Sequence, residues 1–267
     1  MTNPFIHIIN SLLPEPQASL LNGILFGIKA SMPQEFYNAL ITTGTLHIIA
    51  LSGMNISILA ALTAKTTLFL GRKASSIFTI CLIVLFTIFV GASPSIIRAA
   101  IMGCLSLIAL YFGRQRSAVL SLFFASGIML LLNFSLIKNI SFQLSFLATL
   151  GVILATRKSE CYKRKSAIDQ LKFTIYENLK LTLSAQVFTL PVILYNFHRL
   201  SFIAPLANLL IEWAIQPIMV LGLITAFIGW IWLPPGFILA WITWVPLTYL
   251  ITIVELLARI PGASISF

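Results

Sequence analysis

Residues 44–55 read GTLHIIALSGMN and open the apolar run 46–64, which decides the fold predicted for this chain. The run is long enough to cross a bilayer as one helix. Four small or polar residues would share one side of that helix: Gly44, His47, Ser52 and Asn55. At about 100° per residue they span an arc of roughly 140°. Such a face indicates either close helix packing or a water-filled path, and this stretch alone leaves both open.

The composition predicts a membrane protein. Hydrophobic residues make up 59% of the 267 residues, charged residues 9%, and the mean hydropathy is +1.00. Soluble domains carry about 25% charged residues, so this class is excluded. The net charge of +10 does not by itself indicate nucleic-acid binding, because membrane proteins concentrate Lys and Arg in cytoplasmic loops. The three cysteines show no disulfide framework and no metal-ligand spacing.

The apolar runs predict an all-α, polytopic helical bundle of about eight crossings. After 46–64, the predicted spans are 76–91, 96–112, 118–134, 141–155, 178–197 and 237–258. Residues 202–233 are too few for two spans, so Pro205 and Pro217 predict a broken or re-entrant piece followed by one span, with a turn at 234–236. Residues 1–35 predict an amphipathic, interfacial segment, and residues 36–267 the transmembrane domain.

The loop charges predict the orientation in the cytoplasmic membrane. Loops 65–73, 113–117 and 157–172 hold 11 Lys and Arg residues, whereas loops 135–140 and 197–201 hold 2. Positively charged loops face the cytoplasm. An even number of crossings then places both termini outside.

Arg98 is the sharpest anomaly inside an apolar run. At the bilayer centre an arginine costs about 2.5–3.5 kcal/mol. Near the outer end of its span it can reach the headgroups, or it can face the bundle and meet an anion or a carboxylate. Asn208, Glu212 and Gln216 are four residues apart and predict a polar stripe on one helix. An Arg98–Glu212 ion pair is a hypothesis, because neither residue has another evident partner.

Further polar positions occur inside apolar runs, at Gln143, Ser145 and Gln186. Each alone is typical of a structural contact, whereas together they favour a hydrated internal path. Enzyme signatures are missing from the sequence, since its three histidines are far apart and its acidic residues form no close pair. A serine hydrolase built on His47 and Ser52 is an alternative, but the spacing is not diagnostic. The sequence therefore predicts neither an enzyme nor a metal or cofactor.

Several sequence blocks between residues 12 and 220 form an ordered series. They are LLPEP at 12–16 with the run 20–27, HIIALSG at 47–53, PSIIRAAIM at 94–102, FQLSFLATLG at 142–151, and 186–191 with Asn208 and Pro217. This series resembles the competence domain of the ComEC family, the inner-membrane channel proteins of natural DNA transformation. Asn55 departs from it, because the family usually has a histidine there.

The resemblance implies passage of single-stranded DNA across the cytoplasmic membrane. A polyanion with unstacked bases needs scattered cations and polar or aromatic walls. The candidate path residues are His47, Ser52, Asn55, Arg98, Gln143, Gln186, Asn208 and Glu212. The family also implies a DNA receptor and a cytoplasmic ATPase as partners. Its full-length members carry an oligonucleotide-binding-type domain and a metallo-β-lactamase-like nuclease domain, neither of which fits here, so we expect a separate nuclease.

Two other functions remain open at this point. A secondary transporter for a small anionic solute would suit broken helices near Pro205 and Pro217, because such carriers build their sites on discontinuous helices. A structural subunit would use its polar residues only to pack helices. The sequence leaves the oligomeric state open, and a homo-oligomer is one alternative.

Overall fold

The structure is a computed structural model that describes residues 4–28, 32–49, 53–67, 69, 71–91, 93–115, 117–156, 167–197, 199–260 and 264–266. The chain divides into two compact units. The first unit comprises Met1–Ser52 and Leu200–Phe267, and the second comprises Gly53–Arg199. The described residues are mainly helical, as predicted.

The helices of the described residues are, in chain order, α1 (Pro4–Leu12), α2 (Gln17–Phe26), α3 (Gln34–Thr42), α4 (Gly53–Thr67), α5 (Arg72–Val90), α6 (Pro94–Tyr111), α7 (Ala118–Leu132), α8 (Ile140–Thr156), α9 (Ala167–Phe197), α10 (Ala204–Ile231) and α11 (Leu233–Ala258). Short 3₁₀ turns cover Leu46–Ile48 and Phe134–Lys138. Two three-residue strands, β1 (Arg199–Ser201) and β2 (Ser264–Ser266), pair with each other.

In the first unit, α10 and α11 pack along each other and α1 and α2 lie against them. Glycines on α10 allow this approach: a Cβ added at Gly229 would lie 2.7 Å from Leu12 Cδ1, and one at Gly222 would overlap Leu21. All ten residues of α2 are buried, whereas an interfacial helix would expose one face. The membrane position of residues 1–35, and their separation from 36–267, stay predictions.

The stretch 44–55 is not one helix, so the predicted span 46–64 with a continuous polar face is wrong. The α3 helix ends at Thr42, a 3₁₀ turn covers Leu46–Ile48, and α4 covers Gly53–Thr67. Gly44 has a φ of +71°, a left-handed conformation that glycine adopts without strain. A Cβ at Gly44 would also lie 2.8 Å from the Ala204 Cβ. The α-helical period therefore does not hold over residues 43–49.

In the second unit, the helices α5 to α8 match the predicted spans from 76 to 155 to within four residues. The α9 helix begins at Ala167, eleven residues before the predicted span 178–197, so the end of the predicted loop 157–172 is helical instead. Pro94 lies in the first turn of α6, where a backbone N–H would have no hydrogen-bond partner within the helix. Asn139 Oδ1 accepts a 2.9 Å hydrogen bond from Ser141 N at the start of α8, as an N-cap does. The α4, α5 and α6 helices pack against one another, and α8 packs against α9.

The predicted break in 202–233 is wrong, because α10 is continuous from Ala204 to Ile231. Pro205 lies in its first turn, where proline is tolerated, and the helix runs through Pro217. The proline-rich segment 234–236 is the first turn of α11 instead of a separate turn. The structure therefore shows one long helix where the sequence predicted a discontinuous one.

The chain has the surface of a membrane protein. Among the described residues, four helices are long and apolar enough to cross a bilayer: α5, α6, α10 and α11. The α7 and α8 helices are also apolar but shorter, with 15 and 17 residues. On α5, Leu85 and Ile88 are 64% and 74% exposed, whereas Ser75 and Thr79 are buried. Apolar side chains face outward and hydroxyls inward, as expected in lipid. The count of about eight crossings stays a prediction.

Candidate functional site

Arg98 is buried inside the second unit. It lies in the second turn of α6, and its side chain is 6% exposed. Its Nε and Nη1 atoms have no hydrogen-bond partner among the described residues. An arginine at this position could have reached outward to headgroups, but this side chain is buried.

The first residue of α4 lies beside this guanidinium. A Cβ built on Gly53 would lie 3.8 Å from Arg98 Nη2 and 3.0 Å from the Ala99 Cβ. The missing side chain at Gly53 thus lets the start of α4 approach α6 closely. Asn55, in the same first turn of α4, is 2% exposed. The structure therefore brings two of the predicted path residues, Asn55 and Arg98, to neighbouring helices of one unit.

The helices around Arg98 provide no carboxylate. The sequence from Gly53 to Thr156 contains no Asp and no Glu. On α9, which carries Asp169 and Glu177, Glu177 forms a 3.5 Å ion pair with Lys180. Glu212 belongs to the first unit, so the hypothetical Arg98–Glu212 pair stays a prediction.

Two further predicted path residues lie on α8 and α9. Gln143 Nε2 donates a 2.7 Å hydrogen bond to the Ile137 carbonyl oxygen, so this side chain supports the turn before α8. Its neighbour Ser145 shares a 2.9 Å hydrogen bond with Ser95 at the start of α6. Gln186 is half-buried on α9. The hydroxyl pair joins α8 to the segment that carries Arg98.

The predicted polar stripe, Asn208, Glu212 and Gln216, lies on the helix α10 of the first unit. Asn208 is half-buried, and its Oδ1 atom has no hydrogen-bond partner among the described residues. Glu212 and Gln216 are exposed along the same helix. Next to this stripe, Tyr249 of α11 donates a 3.1 Å hydrogen bond to the Leu210 carbonyl oxygen. The stripe therefore presents a carboxylate and an amide on the surface of the unit.

His47 belongs to the first unit, whereas Asn55 and Arg98 belong to the second. It lies in the 3₁₀ turn of the first unit, is exposed, and its Nδ1 atom donates to the Gly44 carbonyl oxygen at 3.1 Å. Ser52 lies outside the described residues. The single face predicted for these residues is thus distributed over two units.

The sequence analysis missed a set of buried polar contacts in the first unit. Asn22 Nδ2 donates to Asn10 Oδ1 at 2.7 Å and links α2 to α1. Gln17 Nε2 donates to Thr248 Oγ1 at 3.1 Å and links α2 to α11. The signal was an asparagine inside the short apolar run 20–30, next to the small residue Gly23. The described residues contain no group of three or more His, Cys, Asp or Glu side chains that could hold a metal ion.

Comparison with known proteins gives two matches. A family model described as competence protein matches residues 24–267. ComE operon protein 3 from Bacillus subtilis (strain 168) is 31% identical over 210 residues, which cover 76% of this chain and 26% of that protein. The chain thus spans about a quarter of the length of this curated relative. No solved structure matches the chain.

Proposed function

Because the chain belongs to the ComEC family of competence proteins, we propose that it forms all or part of the channel through which single-stranded DNA crosses the cytoplasmic membrane during natural transformation. The observation that carries this proposal is the family match over 24–267. The family relation and the apolar helices support a role in DNA uptake at a membrane.

The second unit offers features that suit a polyanion. Its helices from Gly53 to Thr156 carry Lys and Arg but no acidic residue, so no fixed negative charge in them repels a strand. Arg98 places one buried cation among them. Scattered cations with polar walls bind nucleic-acid backbones without reading base sequence.

Several finer features belong to the same proposal. The chain would lie in the cytoplasmic membrane with about eight crossings and both termini outside, with loops 65–73, 113–117 and 157–172 in the cytoplasm. It would have no catalytic site of its own. Strand degradation, DNA capture and energy coupling would be the work of a nuclease, a receptor and a cytoplasmic ATPase.

The small-solute carrier loses the observation that favoured it. A discontinuous helix at the bilayer midplane would suit that function, whereas α10 is continuous through Pro217. A structural subunit remains as an outcome of the experiment below.

The proposal is tested by DNA uptake in a host that lacks this gene. Radiolabelled DNA is added to deleted cells and to cells complemented at native membrane abundance, and surface-bound and nuclease-resistant internal label are counted separately. We expect deletion to abolish internal label, to leave surface-bound label unchanged, and complementation to restore uptake. Unchanged internal label after deletion would contradict the proposal. Loss of surface-bound label would indicate a structural or receptor-linked role instead.

A further inference from the structure

We propose that Arg98 and the first turn of α4 form a site for one phosphodiester group of the transported strand. This inference rests on the proposed function for the identity of the ligand. The site itself is argued from the burial, the missing partners and the surroundings of Arg98.

Arg98 is a buried cation with unused donors. The side chain is 6% exposed, and neither Nε nor Nη1 has a hydrogen-bond partner among the described residues. An arginine stays protonated in proteins and offers five N–H donors. An unpaired buried charge costs several kcal/mol, so its environment favours the entry of an anion.

The surrounding helices supply no counter-charge. The α4 to α8 helices contain no acidic residue, because none occurs between Gly53 and Thr156. The hydroxyl Oγ of Ser93, which precedes α6, is also buried without a partner among the described residues. These polar groups are therefore available to a ligand from outside the chain.

The start of α4 adds a second positive feature at the same place. Arg98 Nη2 lies 3.8 Å from the position of a Cβ at Gly53, the first residue of this 15-residue helix. A helix N-terminus carries a partial positive charge of about half an elementary charge. Arg98 also lies in the second turn of α6, close to another helix N-terminus. Charges of one sign repel one another, and an anion between them removes the repulsion.

Phosphate oxygens suit this arrangement better than other anions in DNA transport. Helix N-termini and guanidinium groups both bind phosphate oxygens. Each nucleotide brings the same phosphodiester, so a single contact would be independent of base sequence. One contact would hold a strand weakly enough to let it move to the next phosphate.

The binding test uses the full chain in nanodiscs of zwitterionic phosphatidylcholine. A short fluorescent oligothymidylate is titrated at several KCl concentrations against wild type, Arg98→Lys, Arg98→Gln and Arg114→Gln. Arg114 is exposed, so its variant controls for the change in net charge. We expect Arg98→Gln to weaken binding about tenfold or more and to reduce the salt slope by about 0.7. We expect Arg98→Lys to weaken binding less, and Arg114→Gln to change it little.

A thermal test decides the anion site without DNA. Inorganic phosphate should raise the melting temperature of wild type, because a ligand that binds only the folded state stabilises it, and should not raise that of Arg98→Gln. Without phosphate, Arg98→Gln should melt at the same or a higher temperature, since it removes an unpaired buried charge. This result separates lost binding from lost folding.

Four results would overturn the inference. Equal affinity and equal salt slope for wild type and Arg98→Gln would show that the strand does not use Arg98. An equal response of both proteins to phosphate would remove the anion site. If added phosphatidylglycerol stabilises wild type through Arg98 and blocks the oligothymidylate, a lipid headgroup is the occupant. A wild type that responds to phosphate but binds no oligothymidylate would contradict the proposed function as well as the strand assignment.

Discussion

At the scale of single residues, small side chains determine how closely the helices of the second unit approach. A Cβ at Gly151 of α8 would lie 2.7 Å from the Ser184 carbonyl oxygen and 3.0 Å from Phe188 Cδ2 of α9. Ser184 Oγ also donates a 2.9 Å hydrogen bond to the Gly151 carbonyl oxygen. Such close backbone contacts are typical of helix pairs in membranes, where lipid offers no hydrophobic drive for association.

We therefore expect Gly151→Ala to destabilise the protein by about 1–3 kcal/mol, because backbone atoms must move to accommodate the methyl group. Gly127→Ala on α7 is the matched control, since a Cβ there meets nothing within 4 Å. It should leave stability unchanged or raise it slightly, as alanine favours the helix. Thermal melting of both variants in one detergent checks this, and equal melting temperatures would contradict the packing.

Polar residues inside apolar runs could be recognised from the sequence, but their partners could not. Arg98 was identified as an anomaly, and its burial was one of two alternatives. The contacts of Asn22 and Gln17 were missed, because they depend on how α1, α2 and α11 pack together. Long-range contacts of this kind leave no periodic signal in one sequence.

At the scale of elements, α10 differs most from its prediction. A proline in a helix interior usually costs about 3 kcal/mol, and Pro217 therefore predicted a break. The observed helix continues for 28 residues. In membranes, neighbouring helices tolerate and compensate such prolines, so tertiary packing overrides the local preference.

The continuity of α10 leads to a prediction for the variant Pro217→Ala. We expect an unchanged or higher melting temperature and normal DNA uptake, because alanine restores an N–H donor within an existing helix. Pro205→Ala, in the first turn, serves as the control and should be neutral. Loss of uptake by Pro217→Ala at normal abundance would indicate that a kink at this residue is functional.

The outward apolar face of α5 makes a second element-scale prediction. Ile88 is 74% exposed within a candidate spanning helix, whereas Phe69, before that helix, is 84% exposed. Ile88→Lys should reduce membrane insertion, because a charge in the hydrocarbon core costs up to about 3 kcal/mol. Phe69→Lys should have a smaller effect. The fraction of each variant in sedimented membranes measures this, and equal fractions would place Ile88 outside the core.

The segment 44–55 shows where a periodic pattern fails. Its apolar character extends over 46–64, but the left-handed Gly44 and the 3₁₀ turn at Leu46–Ile48 interrupt the helix. Hydropathy reports burial or lipid contact and does not report a change in backbone direction. The spans from 76 to 155 were predicted more closely, because caps and loop residues mark their ends.

At the scale of the whole molecule, the distribution of charge predicts the orientation. Most Lys and Arg residues lie in three loops on one side of the predicted bundle, which the positive-inside rule places in the cytoplasm. The composition predicted the fold class. It did not predict the division into two units, because the first unit combines residues from both ends of the chain.

Single cysteines in a cysteine-free background test this orientation. Gln115→Cys and Lys138→Cys both lie at exposed positions that flank α7. An impermeant maleimide should label Lys138→Cys in intact spheroplasts, and Gln115→Cys only after permeabilisation. The opposite pattern would reverse the orientation, and labelling of both in intact spheroplasts would mean that α7 does not cross.

The most direct test of the central claim is to trap a strand during uptake. Competent cells receive DNA that carries photoreactive nucleotides and a bulky block at its trailing end, and they are irradiated after surface DNA has been digested. We predict nuclease-protected strands cross-linked to this chain, with adducts in residues 53–199. Protected strands that cross-link only to other membrane proteins, with this chain at normal abundance, would contradict the claim that DNA passes along it.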